Sequence, residues 1–109
     1  MKREDIHTMI VSMGLPCAYY QFPDDTPKAP PFICWFFSTN TDVMADNRNY
    51  VDKEVLNIEL YTKVREYDLE KAVEAALAAG GFSYAKEAAY IDDEKMYQIS
   101  YESEVIIDA

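Results

Sequence analysis

Histidine and cysteine, which often act as general bases, nucleophiles or metal ligands, are few and scattered in this 109-residue chain. The single histidine, His7, lies between Ile6 and Thr8, a position typical of a helix surface or boundary rather than of a general base. Cys17 and Cys34 form no CxxC pair. We therefore expect two packed, reduced thiols and no zinc site.

Runs of acidic residues are the other feature that could do chemistry, by binding a hard cation. Asp92, Asp93 and Glu94 stand together, and Asp24 stands beside Asp25. A calcium loop of the EF-hand type spaces its oxygen ligands and needs a turn glycine, which neither run has. The sequences GxGxxG, GxxxxGK[ST] and GxSxG are also missing. We interpret both runs as solvated segments, and we expect neither an enzyme nor a bound metal or cofactor.

The charge of the chain is strongly and unevenly negative. Twenty acidic residues against ten basic ones give a formal net charge of −10. Binding to a phosphate backbone ordinarily relies on Lys and Arg, so tight DNA binding is not expected. From residue 87 to the end, seven acids accompany Lys95 alone, which gives 1 − 7 = −6. One surface of the fold is therefore predicted to be markedly acidic.

Two helices are predicted from apolar residues at helical spacing. Ile6, Met9, Ile10 and Met13 recur at i, i+3, i+4 and i+7. They predict an amphipathic helix over residues 3–13, ended by Gly14. A second helix is predicted over residues 68–79, with Asp68 as its N-cap and Gly80 at its end. Its alanine-rich sequence suits close packing on a sheet.

Strands account for most of the remaining chain, which we treat as one domain over residues 1–109. A short strand over 17–22 precedes a proline-rich arm at 23–31, a long hairpin at 32–62 and a C-terminal hairpin at 82–107. The arms of the long hairpin exceed the usual strand length of about five or six residues. We predict an α+β fold: a mainly antiparallel sheet, two helices packed on one face, and a long projecting hairpin.

The run from Phe32 to Phe37 consists of six apolar residues, whereas a half-buried strand alternates apolar with polar side chains. One alternate set can lie under the helices, and the other needs a second cover. The proline-rich arm could supply it, or another subunit could, since aromatic residues are enriched at interfaces. The candidate subunit-interface residues are Phe32, Ile33, Trp35 and Phe37.

Several segments together resemble a family of small phage and prophage proteins. The segments are LPCAYYQF (15–22), APPFICWFF (29–37), MADNRNY (44–50), NIELYTK (57–63) and YIDDEKMYQISYESEVI (90–106). The family is encoded with the head–tail joining and tail components of long-tailed phages. The resemblance spans nearly the whole chain, through apolar and turn patterns rather than catalytic signatures. It implies a tail-completion or tail-terminator protein, an α+β subunit of a hexameric ring.

The resemblance also implies partners and a location. The ring would contact other copies of this chain, the tail tube protein and a head connector or stopper protein, with DNA passing through its hole. The protein would be made in the host bacterial cytoplasm and reside in the virion, without a membrane partner. The hairpin expected to dock on an adjacent ring comprises Asp42, Val43, Met44, Asp46, Asn47, Arg48 and Tyr50. The acids expected near the lumen, where they would repel phosphates, are Glu87, Asp92, Asp93, Glu94, Glu102 and Glu104.

A second interpretation rests on the charge alone. An acidic protein with carboxylates arranged on one surface can mimic DNA and inhibit a host DNA-binding protein. The net charge of −10 and the sequence pI near 4.4 support this alternative. It leaves the apolar run at Phe32–Phe37 without a role, and the tail-assembly interpretation is therefore favoured. The roles of tail-tube subunit and head-side stopper remain open beside that of terminator.

Overall fold

The computed structural model describes residues 2–21, 29–39 and 51–108. The elements are α1 (Arg3–Val11), β1 (Cys17–Tyr19), β2 (Phe32–Thr39), β3 (Val51–Thr62), α2 (Tyr67–Ala79), β4 (Ala85–Ile91) and β5 (Met96–Asp108). In these residues the five strands form one sheet with the order β1-β2-β3-β5-β4. The β1–β2 pair is parallel and the other pairs are antiparallel. The predicted α+β class with a mainly antiparallel sheet is confirmed.

Both predicted hairpins have their strands paired. In the first, β2 and β3 pair from Phe32 opposite Tyr61 to Thr39 opposite Glu54. In the second, β4 and β5 flank the turn that contains Asp92, Asp93 and Glu94. The tip of the first hairpin lies outside the described residues, and with it every predicted docking residue: Asp42, Val43, Met44, Asp46, Asn47, Arg48 and Tyr50. Its projection and its docking role therefore stay predictions.

The pleat of the sheet gives it two different faces. Ile33, Leu60 and Ile99 lie opposite one another across β2, β3 and β5, and all three are fully buried. Both helices pack on this side, which we call the helix face. Their buried apolar residues are Ile6, Ile10, Val73 and Leu77. The opposite side carries the alternate residues of each strand, and we call it the open face.

The first helix is held to β2 and β3 by polar and aromatic contacts at its exposed margin. Arg3 donates two hydrogen bonds to the carboxylate of Glu54, at 2.7 and 2.8 Å. The same guanidinium lies 4.8 Å from the centre of the Phe37 ring. His7 stacks on Trp35 with ring centroids 5.7 Å apart. His7 is thus an exposed packing residue at a boundary, as its sequence position indicates.

The N-cap assigned to Asp68 from the sequence is wrong. The second helix begins at Tyr67, and Glu66 occupies the cap position without a side-chain hydrogen bond. The backbone N–H groups of Leu69 and Glu70 both donate to the carbonyl of Glu66 at 3.1 Å, so the hydrogen-bond ladder starts earlier than predicted. Asp68 lies within the first turn, where its charge still favours the positive end of the helix dipole.

The buried carboxylate of Glu70 helps to attach α2 to β4 and β5, the strands at the opposite end of the sheet from β1. Glu70 is 1% exposed. It accepts hydrogen bonds from Nε and Nη2 of Arg65, each at 3.0 Å, and lies 2.9 Å from Nζ of Lys86. That ammonium is also 2.7 Å from Glu74, which accepts a 2.8 Å hydrogen bond from the Tyr101 hydroxyl. These five residues, the Glu70 network, connect α2 to both β4 and β5.

The network contributes stability that depends on pH. Burial alone would raise the pKa of Glu70, but hydrogen bonds from Arg65 and Lys86 outweigh it and lower the pKa from its ordinary value of 4.5. The hydrogen bond from Lys86 likewise lowers the pKa of Glu74. A carboxyl whose pKa is lower in the folded than in the unfolded chain stabilises the fold above the unfolded pKa. This contribution is lost as the pH falls through the lowered, folded value.

We predict that Glu70→Gln lowers the free energy of unfolding at pH 7 by about 2–3 kcal/mol, because Arg65 loses its carboxylate partner and Lys86 keeps only its contact with Glu74. Glu74→Gln is the matched control and should cost about 1 kcal/mol, since the Glu74 side chain is 25% exposed. Urea unfolding measures both. As the pH falls from about 6 to 3, the native protein should lose more stability than Glu70→Gln. Parallel pH profiles would show that another group carries the dependence.

Candidate functional site

The open face begins, at the β1 side of the sheet, with four aromatic side chains, Tyr20, Phe32, Phe36 and Tyr61, which we call the aromatic cluster. Phe32 stacks on Tyr61 with ring centroids 4.9 Å apart, and Tyr20 stacks on Phe36 at 5.2 Å. Tyr20 is 58% exposed. The cluster covers β2 on the face opposite the helices, but the ring of Tyr20 remains in contact with water.

The backbone at Tyr20 has a conformation that large L-residues rarely adopt. Its φ is +70°, in the left-handed region that favours glycine. The Tyr20 N–H donates to the carbonyl of Trp35 at 2.8 Å, and the next residue, Gln21, donates to Tyr19 at 2.9 Å. Such a conformation costs free energy, and the ring it positions is only partly buried. The position is therefore a candidate contact for another molecule.

The residues predicted at a subunit interface divide between the two faces. Ile33 and Trp35 are 0% and 7% exposed and belong to the core beneath α1. Phe37 is half-buried on the same side, and Phe32 lies on the open face. Ile33 and Trp35 thus have their cover within the chain. The interface remains a prediction, for which the open face offers Phe32 and three aromatic residues that the sequence analysis did not select.

The two cysteines are free and face opposite sides of the sheet. Cys17 is paired with Ile33 and faces the helices, whereas Cys34 belongs to the open face. Cys34 lies between Phe32 and Phe36 on its strand and is 5% exposed. Burial, with the nearby charge of Glu59, raises the pKa of the Cys34 thiol to about 11. The thiol is therefore protonated at neutral pH and a poor nucleophile.

Side-chain hydrogen bonds occupy the middle of the open face. Glu59 accepts a hydrogen bond from the Tyr61 hydroxyl at 3.0 Å and another from the Gln98 amide at 2.8 Å. Burial, followed by the charge of Glu59, raises the pKa of Tyr61 and keeps the phenol a donor. The amide of Gln98 also reaches Ser100 at 3.3 Å. These hydrogen bonds connect Tyr61, which belongs to the aromatic cluster on β2 and β3, with Gln98 and Ser100 on β5.

The far end of the open face is acidic. Glu87, Glu102 and Glu104, which we call the acidic strip, are exposed and project from β4 and β5 on the same side. The side-chain carboxylates of Glu87 and Glu102 make no hydrogen bond or ion pair with any residue that the structure describes. Of the six acids predicted near a lumen, three thus share one face. The other three, Asp92, Asp93 and Glu94, are exposed in the adjoining turn.

Within the described ranges, no group of three or more His, Cys, Asp or Glu side chains is placed to hold a metal ion. No helix in the same ranges has the length and apolar character needed to cross a membrane. Comparison with known proteins found no matching family model and no matching curated protein. The features of this chain that bear on its function are therefore the sequence resemblance and the two ends of the open face.

We predict that Cys34 in the folded protein reacts with iodoacetamide at pH 8 at least about tenfold more slowly than in urea, since its thiolate is scarce and covered. A Cys17→Ser background isolates this thiol. Adding Phe36→Ala should remove part of the cover and accelerate labelling, whereas Tyr90→Ala, on β4 at the other edge of the sheet, should not. Equal rates in folded and unfolded protein would contradict the described packing around Cys34.

Proposed function

We propose that this chain is a structural subunit of a phage tail: a tail-terminator or tail-completion protein that forms a ring at the head–tail junction and lets DNA pass. One observation carries the proposal. The sheet has a face that neither helix covers, on which the aromatic cluster, with Tyr20 exposed, and the acidic strip lie at opposite ends. The resemblance of residues 15–106 to the phage family supplies the specific role.

The aromatic cluster is the part of this face suited to contact between subunits. Aromatic side chains are enriched in the buried centres of protein interfaces and dominate their binding energy. Tyr20 has 58% of its surface exposed in a strained backbone conformation. A neighbouring copy that packed against Tyr20 and Phe36 would bury this surface and offset the backbone cost. The further proposed partners are the tail tube protein and the head connector.

The acidic strip is the part of the open face suited to contact with DNA that passes through a ring without binding tightly to it. Phosphates bind proteins through Lys and Arg, and carboxylates repel them. On β4 the lysine, Lys86, is bound by Glu70 and Glu74 on the helix face, so its charge is directed away from the strip. A ring that placed Glu87 and Glu102 toward its hole would present DNA with a repulsive wall. Transit would then not be slowed by tight contacts.

A DNA-mimic inhibitor is the second candidate, favoured by the same carboxylates. Glu102 and Glu104 are two residues apart on one strand, a spacing of roughly 6.8 Å, and Glu87 projects beside them from β4. Such an array could engage a basic DNA-binding protein of the host. In that case, a pull-down from host lysate should retain a basic protein that elutes between about 0.1 and 0.5 M salt. The aromatic cluster has no role in this candidate, which therefore ranks second.

Self-assembly is tested by light scattering after size-exclusion chromatography over a hundredfold range of concentration. One chain has a mass of 12.5 kDa, so a hexamer has 6 × 12.5 = 75 kDa. We expect a species at or approaching 75 kDa, and we expect Tyr20→Asn to weaken it at least about tenfold, as loss of an aromatic interface anchor does. Asparagine tolerates the left-handed backbone at this position.

Val64→Asn is the matched control, because Val64 is 62% exposed and lies between β3 and α2, outside the open face. It should leave the oligomer unchanged. A mass of 12.5 kDa at every concentration would contradict self-assembly of the isolated chain. An oligomer that Tyr20→Asn and Val64→Asn affect equally would remove the aromatic cluster from the interface.

A further inference from the structure

The outer edge of β4 is unpaired in the residues that the structure describes. Among the described residues β4 is the last strand of the sheet and pairs with β5 alone. Six of its seven residues, from Ala85 to Tyr90, are exposed, and Ile91 is half-buried. Within the described part of the chain, the backbone N–H and C=O groups that point away from β5 therefore have no partner strand. Such an edge can template the addition of another strand.

Two of the usual devices that protect an edge, a bulge and a proline, are missing from β4. Its register with β5 is continuous from Ala85 opposite Glu102 to Ile91 opposite Met96, so no bulge interrupts it, and it contains no proline. A lysine on an edge strand ordinarily hinders pairing. Here the ammonium of Lys86 lies 2.9 Å from Glu70 and 2.7 Å from Glu74 and is held over α2. The neighbouring alanines, at positions 88 and 89, present almost no side chain to an incoming strand.

The charges beside this edge indicate which kind of strand would fit. On the open face an added strand would lie next to Glu87, with Glu102 one strand further in. Neither carboxylate has a hydrogen bond or ion pair within the described chain. A shallow depression of about 350 Å³ adjoins them, lined by Ala85, Lys86, Glu87, Ser100 and Glu102. Cationic side chains from the added strand would pair with these acids and occupy this space.

On the helix face, different side chains of the added strand would fit beside β4. There an incoming strand would meet the exposed Ala88 and Tyr90 and, between them and the start of β4, Lys86, whose ammonium is held by Glu70 and Glu74. A second copy of β4 would instead bring Glu87 close to its own counterpart and set two acidic strips side by side. Like charges on adjacent strands are destabilising. The charge pattern therefore selects a basic segment from another protein over a second copy of this chain.

We propose that the β4 edge binds an extended segment of a partner protein, in which Lys or Arg residues alternate with small apolar ones, by adding it to the sheet as a sixth strand. Main-chain hydrogen bonds would supply the affinity, and Glu87 and Glu102 the selection for a basic sequence. This inference does not depend on ring formation. It holds whether the chain acts as a monomer or as an oligomer.

The test uses a fluorescein-labelled, end-capped peptide of sequence VKTKVKT and the intact protein in about 50 mM salt. We expect anisotropy to give a dissociation constant below about 1 mM, and the charge-reversed peptide VETEVET not to bind. Two N-methylated forms, modified either at the lysines or at the other positions, test backbone pairing. One of them should bind at least about tenfold more weakly, because only alternate amides face the added edge.

Protein variants locate the site. Glu87→Gln and Glu102→Gln should each weaken binding about two- to fivefold, the effect of losing one exposed ion pair. Glu4→Gln is the matched control, because it removes the same charge from an exposed position on α1 and should have no effect. Hydrogen exchange should show protection of β4 amides when VKTKVKT is bound. No binding at about 2 mM peptide overturns the proposal, and so does equal binding of both N-methylated forms, which indicates a nonspecific ionic contact.

Discussion

Glu70 must be paired, because an isolated carboxylate that is 1% exposed would cost several kcal/mol of desolvation. Its partners come from two directions: Arg65 precedes α2 along the chain, and Lys86 belongs to β4. Satisfying this one charge therefore fixes the position of α2 over the sheet and attaches the outermost strand to it. The same contacts hold the ammonium of Lys86 on the helix face, where it pairs with Glu70 and Glu74. The negative character of the opposite face is thus partly a consequence of how the core is held together.

Separation of the two faces depends on the register of the central strands. In β5 the buried residues Tyr101, Ser103 and Val105 alternate with the exposed Glu102 and Glu104. A shift of one residue against β3 would turn the carboxylates toward the helices and the apolar side chains toward water. The core therefore enforces the acidic strip, because the same alternation that buries one set of side chains exposes the other.

The features that depend on residues close together in the sequence could be predicted. Alternation along β5 and helical spacing near both helices gave elements close to those observed, and they gave the α+β class. The burial of Glu70 could not be predicted, since its partner Lys86 is sixteen positions away and meets it only in the folded chain. The cover over β2 was missed for the same reason. Tyr20 and Tyr61 stack on Phe36 and Phe32 from other strands or loops, and only the pairing of strands brings them together.

The open face is asymmetric, and this limits how copies of the chain can associate. A two-fold contact through the aromatic cluster would be satisfied by a pair, because the same patch is used on both sides. A ring instead requires the cluster to meet a different surface on the next copy, and the acidic strip is a poor choice for it, since aromatic rings gain little beside exposed carboxylates. The exposed aromatic and apolar side chains elsewhere, such as Tyr67 at 60% and Val11 at 51%, lie outside this face. A closed ring would therefore leave the β4 end of the sheet free. The carboxylates at that end could face DNA or a basic strand. This would not oppose the contact between subunits, which lies at the other end of the face.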